Sequence, residues 1–193
     1  MYGDLTIKSG SGSDWVVAYT TADGASFEGA AILNGEQVSG ELAEEVCRSW
    51  KPYQFIVSAS GDDITAIVGK IFNNDINEIC SYLKEKGVNI NPADYAQYTL
   101  ESIDFTESGL MVINFKDFAI APFVGNFNLK ESQDENLAYN FNLSWEDNPV
   151  IPVSGVVSVT VKESKMTLFT ESDAVIGDNT YQVSVSIFCD EIK

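Results

Sequence analysis

Histidine is absent from this chain of 193 residues. Its absence removes the commonest general base and the imidazole ligand that most zinc sites use. Any catalysis would fall to carboxylates, lysine, tyrosine or cysteine. The missing histidine therefore predicts a protein that is not an enzyme, without catalytic residues, metal ligands or a cofactor.

Basic residues are scarce: 11 Lys and Arg stand against 29 Asp and Glu, a net charge of −18. Such a surface repels the phosphates on which nucleic-acid affinity depends, and it disfavours anionic lipid headgroups. The simplest interpretation of so many acids is solubility. The charge predicts no nucleic-acid partner and leaves an unknown protein or small-molecule ligand.

Long apolar runs are also missing. No stretch of about 18 apolar residues occurs, so we expect no transmembrane segment in this chain. The start, Met1 to Leu5, enters a strand pattern without a basic or apolar leader region. Few lysines and many Ser, Thr and Asn favour a periplasmic or cell-surface protein with its leader removed; the alternative is a cytoplasmic protein.

The three cysteines, Cys47, Cys80 and Cys189, are far apart and match no C-x-x-C pattern. Each falls on an apolar stripe, which predicts buried structural thiols. One disulfide with an odd thiol left over stays open at this stage.

Alternating apolar and polar residues are the dominant pattern in the chain. They occur at Leu5–Ile7 and Trp15–Tyr19, and again after Tyr95, most clearly at Tyr139–Trp145 and Tyr181–Cys189. A further strand is predicted through Phe27–Leu33. About ten short strands in one domain, 1–193, predict a mainly β fold. An antiparallel sandwich and a lipocalin-like barrel both satisfy this pattern.

Helical spacing interrupts the strands at two places. Leu42, Val46 and Trp50 predict a short helix over roughly 41–50, with Ser39 as a candidate N-cap. A helical pair is predicted over roughly 62–86, as Ile64–Phe72 and Ile76–Leu83. Asp75 is the candidate cap of the second helix, Gly87 its stop, and 73–75 a break between the two.

Two glycine motifs do not carry chemistry. Gly69-Lys70 is followed by Ile71, whereas a phosphate-binding loop needs Ser or Thr there. The Ser9–Ser13 run lacks the G-x-S-x-G spacing and a histidine to activate a serine. Both are interpreted as structural.

Carboxylates are the remaining catalytic option. Adjacent pairs occur at 44–45, 62–63, 134–135 and 146–147, and a glycosidase needs two carboxyls across a cleft. Asp173, Asp178 and Asn179, or residues 131–136, could supply oxygens to calcium, although the EF-hand pattern is absent. Helix starts and polar turns explain these groups more simply.

Aromatic residues could form a ligand platform. Trp15 and Trp145 alternate with apolar neighbours and are predicted to be core. The run from Trp50 to Tyr53 joins a predicted helix to a strand, where exposed rings could contact a sugar or a partner.

The order of these features resembles uncharacterised secreted lipoproteins of gut Bacteroidetes. The resemblance is carried by Tyr2-Gly3-Asp4-Leu5-Thr6-Ile7, by the apolar segments Ile64–Phe72 and Ile76–Leu83, and by the alternating C-terminal strands. It implies an envelope or cell-surface location and a lipocalin-like or sandwich fold, without an activity.

Three hypotheses follow for function. The first is a non-enzymatic binding or interaction domain of unknown ligand at the bacterial cell envelope. The second is a lipocalin-like carrier of a small apolar ligand, and the third is a carboxylate-dependent hydrolase. No ligand-binding residue can be assigned at this stage, and the oligomeric state is open.

Overall fold

The computed structural model describes residues 4–11, 14–20, 26–32, 38–129, 135–143, 151–176 and 178–193. Within them the helices are α1 (Glu41–Val46) and α2 (Ile76–Glu85), with 3₁₀ turns at Pro92–Asp94 and Ala96–Tyr98. The strands are β1 (Asp4–Ser11), β2 (Asp14–Thr20), β3 (Ser26–Ile32), β4 (Ser49–Ser60), β5 (Ile67–Asn73), β6 (Leu100–Phe105), β7 (Leu110–Phe115), β8 (Phe123–Leu129), β9 (Asn136–Leu143), β10 (Ile151–Lys162), β11 (Lys165–Ile176) and β12 (Asn179–Glu191).

Most of the described strands form one closed barrel. Their order is β12-β11-β10-β9-β8-β7-β6-β4-β5, all neighbours are antiparallel, and β12 also pairs with β4. The second pairing closes eight strands on themselves and leaves β5 as an extra strand. The mainly β prediction is confirmed, and the barrel of lipocalin-like form is the correct one of the two predicted architectures.

The first three strands make a separate antiparallel sheet in the order β1-β2-β3. This agrees with the strands predicted at Leu5–Ile7, Trp15–Tyr19 and Phe27–Leu33, and β3 lies close to β8 and β9. No helix among the described residues is both long enough and apolar enough to cross a bilayer.

One edge of β4 is shared between two partners. Ser49 and Trp50 pair with β6, whereas Gln54 to Ala59 pair with β5. β6 pairs only with the first two residues of β4. The rest of that edge is covered by the segment between β4 and β6, which contains β5, α2 and the two 3₁₀ turns.

The end of the barrel beneath α1 is closed and densely packed. Trp50 is fully buried, and its indole Nε1–H donates to the Val46 carbonyl oxygen at 2.8 Å. Ala43 and Val46 bring α1 onto the same cluster. The other buried members come from the strands: Ile103, Phe105, Met111, Phe127, Leu137, Phe141, Val159, Met166, Leu168 and Cys189.

A small polar group lies on the opposite face of β6 and β7 from this core. Asp104 Oδ2 accepts from Asn114 Nδ2 at 2.7 Å and from the Ser102 hydroxyl at 3.3 Å. Burial raises the pKa of the Asp104 carboxyl, although hydrogen bonds from Ser49, Ser102 and Asn114 oppose that rise. The group joins β6 to β7 and to the start of β4.

Helix α2 begins and ends as its sequence predicts. Asp75 Oδ1 accepts from the backbone N–H of Asn77 at 2.9 Å and of Glu78 at 3.2 Å, and Gly87 follows the helix with φ of 106°. The helix lays Ile76, Ile79, Tyr82 and Leu83 on Phe55, Val57 and Phe72.

The first half of the predicted helical pair is wrong, because residues 67–73 form β5. Phe72 pairs with Phe55 and Ile71 with Ile56, so this segment extends the sheet. Its β-branched Ile and Val residues suit a strand, and tertiary pairing overrides their helical spacing. Gly69-Lys70 therefore lies in a strand, where the Gly69 N–H donates to Ser58 Oγ.

The predicted helix over 41–50 is too long. It ends at Val46, and Trp50 belongs to β4 because it pairs with Ile103. Gly40 occupies the N-cap position without a side-chain hydrogen bond, so the predicted Ser39 cap is wrong.

Candidate functional site: the open half of the barrel

Strand register assigns one face of every barrel strand to the interior. Ile187 lies opposite both Leu168 and Phe55, Ile113 lies opposite Ile103 and Phe123, and Gly155 lies opposite Tyr139. These cross-strand pairs extend the interior face from the buried core to residues nearer the other end of the barrel.

At that other end several interior-facing side chains are only partly covered, although Ala59, Phe141 and Tyr181 there are buried. We call the partly covered residues the open half; its members are Ile113, Phe123, Tyr139, Val153, Gly155, Val157, Thr170, Ala174, Val183, Val185 and Ile187. The buried cluster beneath α1, in contrast, is at most 8% exposed. Five members of the open half also pack against that cluster: Ile113, Phe123, Tyr139, Val157 and Ile187. The interior is thus filled beneath α1 and holds both buried and partly covered side chains at the other end.

The open half is apolar with a few hydroxyl groups. Tyr139 and Thr170 supply those hydroxyls, and the remaining lining is aliphatic or aromatic. On β12, interior-facing positions from Tyr181 to Cys189 carry no charged residue. Such a lining matches an apolar ligand with few polar groups.

Two glycines in the wall are covered by aromatic rings. A Cβ on Gly155 would lie 2.5 Å from Tyr139 Oη and 2.8 Å from its Cζ. A Cβ on Gly125 would collide with the Asn140 carbonyl oxygen and the Phe141 ring. The rings of Tyr139 and Phe141 therefore lie across the wall, with centroids 5.5 Å apart.

Helix α2 covers one side of the opening. It packs with Phe55 and Val57 of β4 and with Val185 and Ile187 of β12. Tyr98, from the second 3₁₀ turn, adds ring contacts to Phe115 at 5.5 Å and Phe123 at 6.0 Å. Val157 of β10 packs against the buried cluster beneath α1 and not against the α2 cluster.

The acidic turn after β4 is tied to the β11–β12 hairpin. Asp63 Oδ2 accepts from Asn179 Nδ2 at 2.6 Å and from Tyr181 Oη at 3.2 Å. A cavity of about 560 Å³ lies here, lined by Ser60, Gly61, Asp62, Asp63, Asp178, Asn179, Thr180 and Gln182. Ser60 and Gln182 pair on the outer face of the sheet. This cavity is therefore outside the barrel.

No metal centre is assembled in the part of the chain that the structure describes, although the cavity after β4 brings Asp62, Asp63 and Asp178 together. No three Cys, Asp or Glu residues lie close enough there to hold a metal ion. Asp173 is on β11 opposite Gln182, while Asn179 is engaged by Asp63. Glu44 and Glu45 lie on α1; Asp134 and the 146–147 pair lie outside the described residues.

A second cavity, of about 620 Å³, lies beside the start of α2. Two of its donors are already engaged: the Ile76 N–H donates to Thr99 Oγ1, and Lys116 Nζ donates one hydrogen bond to the Asn74 carbonyl oxygen at 3.1 Å. With the amides of Asn77 and Glu78 also bound to Asp75, no helix-start amide of α2 among these is left for an anion.

The cysteines are free thiols, and the predicted burial is confirmed for two of the three. Cys80 and Cys189 are buried and Cys47 is half-buried. Burial raises the pKa of Cys47 to about 11, with a contribution from Glu107, and of Cys189 to about 12. The pKa of Cys80 is raised by burial as well.

The predicted aromatic platform at 50–53 is wrong for Trp50, which is core. Of the two aromatic rings in this run, that of Tyr53 is exposed, at 39%, and Lys165 Nζ lies 5.2 Å from its centroid. Trp15 lies in β2, and Trp145 lies outside the described residues.

For the residues of the open half, the sequence predicts strands but does not indicate which side chains face the interior. Alternation shows that Val156 and Val157 face opposite ways, but both are valine, so nothing local indicates which one faces inward. A glycine at an apolar alternating position, such as Gly155 or Gly125, was the signal that could have indicated a crowded interior wall.

The fold and this site define an antiparallel, lipocalin-like barrel that is closed at one end by a helix. Comparisons with models of known protein families, with curated proteins and with solved structures gave no match.

Proposed function

We propose that this protein is a non-enzymatic binding domain whose barrel holds a small, apolar, uncharged ligand in its open half. The observation that carries the proposal is the contrast along the barrel axis. Interior side chains beneath α1 are buried, whereas several apolar side chains of β10 to β12 at the other end stay partly exposed beside the buried Tyr181.

Apolar surface left in contact with water is a source of binding energy. Covering this surface with a ligand contributes roughly 25 cal/mol per Å² to the binding free energy. The packed half beneath α1 keeps the barrel wall ordered before a ligand binds. The hydroxyls of Tyr139 and Thr170 can each form one hydrogen bond with a ligand that has a polar group. An anionic ligand is disfavoured because the net charge of the protein is −18.

Neighbouring valines on β10 provide a matched test. N-phenyl-1-naphthylamine is neutral and apolar, and its fluorescence rises in apolar surroundings. We expect the wild-type protein to bind it. Val157→Trp, which fills the open half, should weaken binding at least about tenfold through steric exclusion, whereas Val156→Trp, on the outer face, should leave binding unchanged.

Circular dichroism and thermal unfolding of both variants establish that they are folded. Absence of probe binding by the wild-type protein would contradict the proposal. Equal binding by the folded Val157→Trp protein and the wild type would also contradict it, because the ligand would then lie elsewhere.

We also propose that the domain acts at a bacterial cell envelope. This is supported by the Ser-, Thr- and Asn-rich composition and by the resemblance to secreted lipoproteins. Fractionation of the source cells with an antibody against the domain tests it: recovery with the envelope or periplasm is expected, and recovery with the cytosol alone would overturn it.

A further inference from the structure

The outer surface of the barrel has a face that is uncharged in the middle. We call the outward side chains of β4, β12 and β11 the serine-rich face. It comprises Gln54, Ile56, Ser58, Ser184, Ser186, Phe188, Thr167 and Phe169. One row crosses four strands as Ile71, Ile56, Ser186 and Phe169, and Ile71 is 55% and Phe169 40% exposed.

The two ends of this face carry opposite charge. Towards the α1 end, Lys51 and Lys165 flank Asp190, and Lys165 Nζ lies 2.7 Å from Asp190 Oδ1. Towards the open end, β11 presents Glu171 and Asp173, both exposed. The face is therefore basic at one end, apolar and serine-rich in the middle, and acidic at the other.

This arrangement is unusual in a chain with 29 acidic and 11 basic residues. Most approaches of two such molecules bring acid against acid, and the repulsion keeps them apart. The middle of the serine-rich face carries no charge and therefore adds no repulsion. When two such faces meet with their strands running in opposite directions, the basic end of one molecule lies against the acidic end of the other.

We propose that the serine-rich face is the contact surface of a symmetric dimer, with a second copy of this chain as the partner. The two-fold axis lies in the interface, across the strands at the level of Phe169. Lys165 and Asp173 are each four residues from Phe169, roughly 14 Å along the strand. The axis therefore brings Lys165 of each copy to Asp173 of the other.

Both ends of the contact carry the same pair, as an isologous interface requires. The apolar centre is formed by Phe169, Ile56 and Ile71 of both copies. Because the barrel surface is convex, contact is confined to these strands. The contact area is therefore small, and we expect a weak dimer with a dissociation constant in the micromolar range. The interior of the barrel takes no part, so the inference is independent of the proposed ligand site.

A charge exchange tests the pairing. Sedimentation velocity over 1–500 µM, about the range needed for a weak dimer, should show concentration-dependent dimerisation of the wild-type protein. Lys165→Glu and Asp173→Lys should each raise the dimer dissociation constant at least about tenfold, since each reversal acts at two symmetric sites. The double variant Lys165→Glu/Asp173→Lys should regain wild-type affinity within about threefold, as pair complementation predicts.

Lys84→Glu is the matched control, because Lys84 is an exposed residue of α2, a helix that packs on the other side of β4 through Phe55 and Val57. It makes the same charge change and should leave the dissociation constant unchanged. A wild-type protein that stays monomeric at 500 µM, about the top of the range above, would overturn the proposal. So would single variants that dimerise like the wild type, or a folded double variant that stays as weak as the singles.

Discussion

Single residues fix the shape of the interior wall. Gly125 and Gly155 occupy positions where the alternation calls for an inward side chain, and Phe141 and Tyr139 lie over them. The two sites differ in what surrounds the missing Cβ. A Cβ at Gly125 would meet the Asn140 carbonyl oxygen and the Phe141 ring, whereas a Cβ at Gly155 would meet the Tyr139 side chain.

We therefore predict unequal effects of adding a methyl group. Gly125→Ala should lower the free energy of unfolding by about 2–3 kcal/mol, the upper range for overpacking, because the Asn140 carbonyl belongs to a paired strand and cannot withdraw. Gly155→Ala should cost about 1 kcal/mol or less, since the Tyr139 ring can tilt into the open half. Urea denaturation measures both; equal losses would contradict this account of the wall.

At the scale of elements, the segment between β4 and β6 sets how open the barrel is. β5 and α2 both pack on β4, and α2 covers the β4 and β12 side of the opening. The helix has ten residues, too few to be stable alone, so its position depends on packing and on its cap.

Removing that cap should loosen the cover. Asp75→Ala loses the side-chain acceptor for the N–H groups of Asn77 and Glu78, and we expect the unfolding free energy to fall by about 1 kcal/mol. Glu85→Ala, at the exposed last residue of α2, serves as the control and should change stability by less than about 0.5 kcal/mol. Hydrogen exchange of the α2 amides should rise in Asp75→Ala; unchanged exchange and stability would show that the cap contributes nothing.

For the whole molecule, the net charge of −18 opposes compactness. Among the described residues, two ion pairs, Arg48–Glu191 and Lys165–Asp190, use basic side chains to offset this repulsion. Screening should therefore stabilise the native state, since it weakens repulsion between exposed carboxylates more than it weakens packing.

We predict that the unfolding free energy rises by about 1–2 kcal/mol between 20 mM and 300 mM NaCl, a range across which the Debye length falls severalfold. The triple variant Glu44→Gln/Glu45→Gln/Glu85→Gln carries three fewer negative charges and should show a smaller increase. Urea denaturation at each salt concentration measures the difference. A wild-type protein insensitive to salt would show that repulsion is not a significant cost.

Much of the fold was predictable because strand alternation is a local property. The strands from β7 to β12, the break before Asp75, the cap of α2 and its stop at Gly87 all depend on near neighbours in sequence. The segment 67–73 was not predictable, because its apolar residues fit helical spacing and only pairing with Phe55 and Ile56 decides for a strand.

The site was less predictable than the fold. Sequence by itself determined the mainly β class, the acidic surface and the absence of histidine chemistry, because composition and period-two alternation need no knowledge of distant contacts. Only the tertiary structure decided that β12 pairs with β4, that the face with Val157 is interior, and that Trp50 lies beneath α1. Each of these depends on residues far apart in sequence, and barrel closure brings them together.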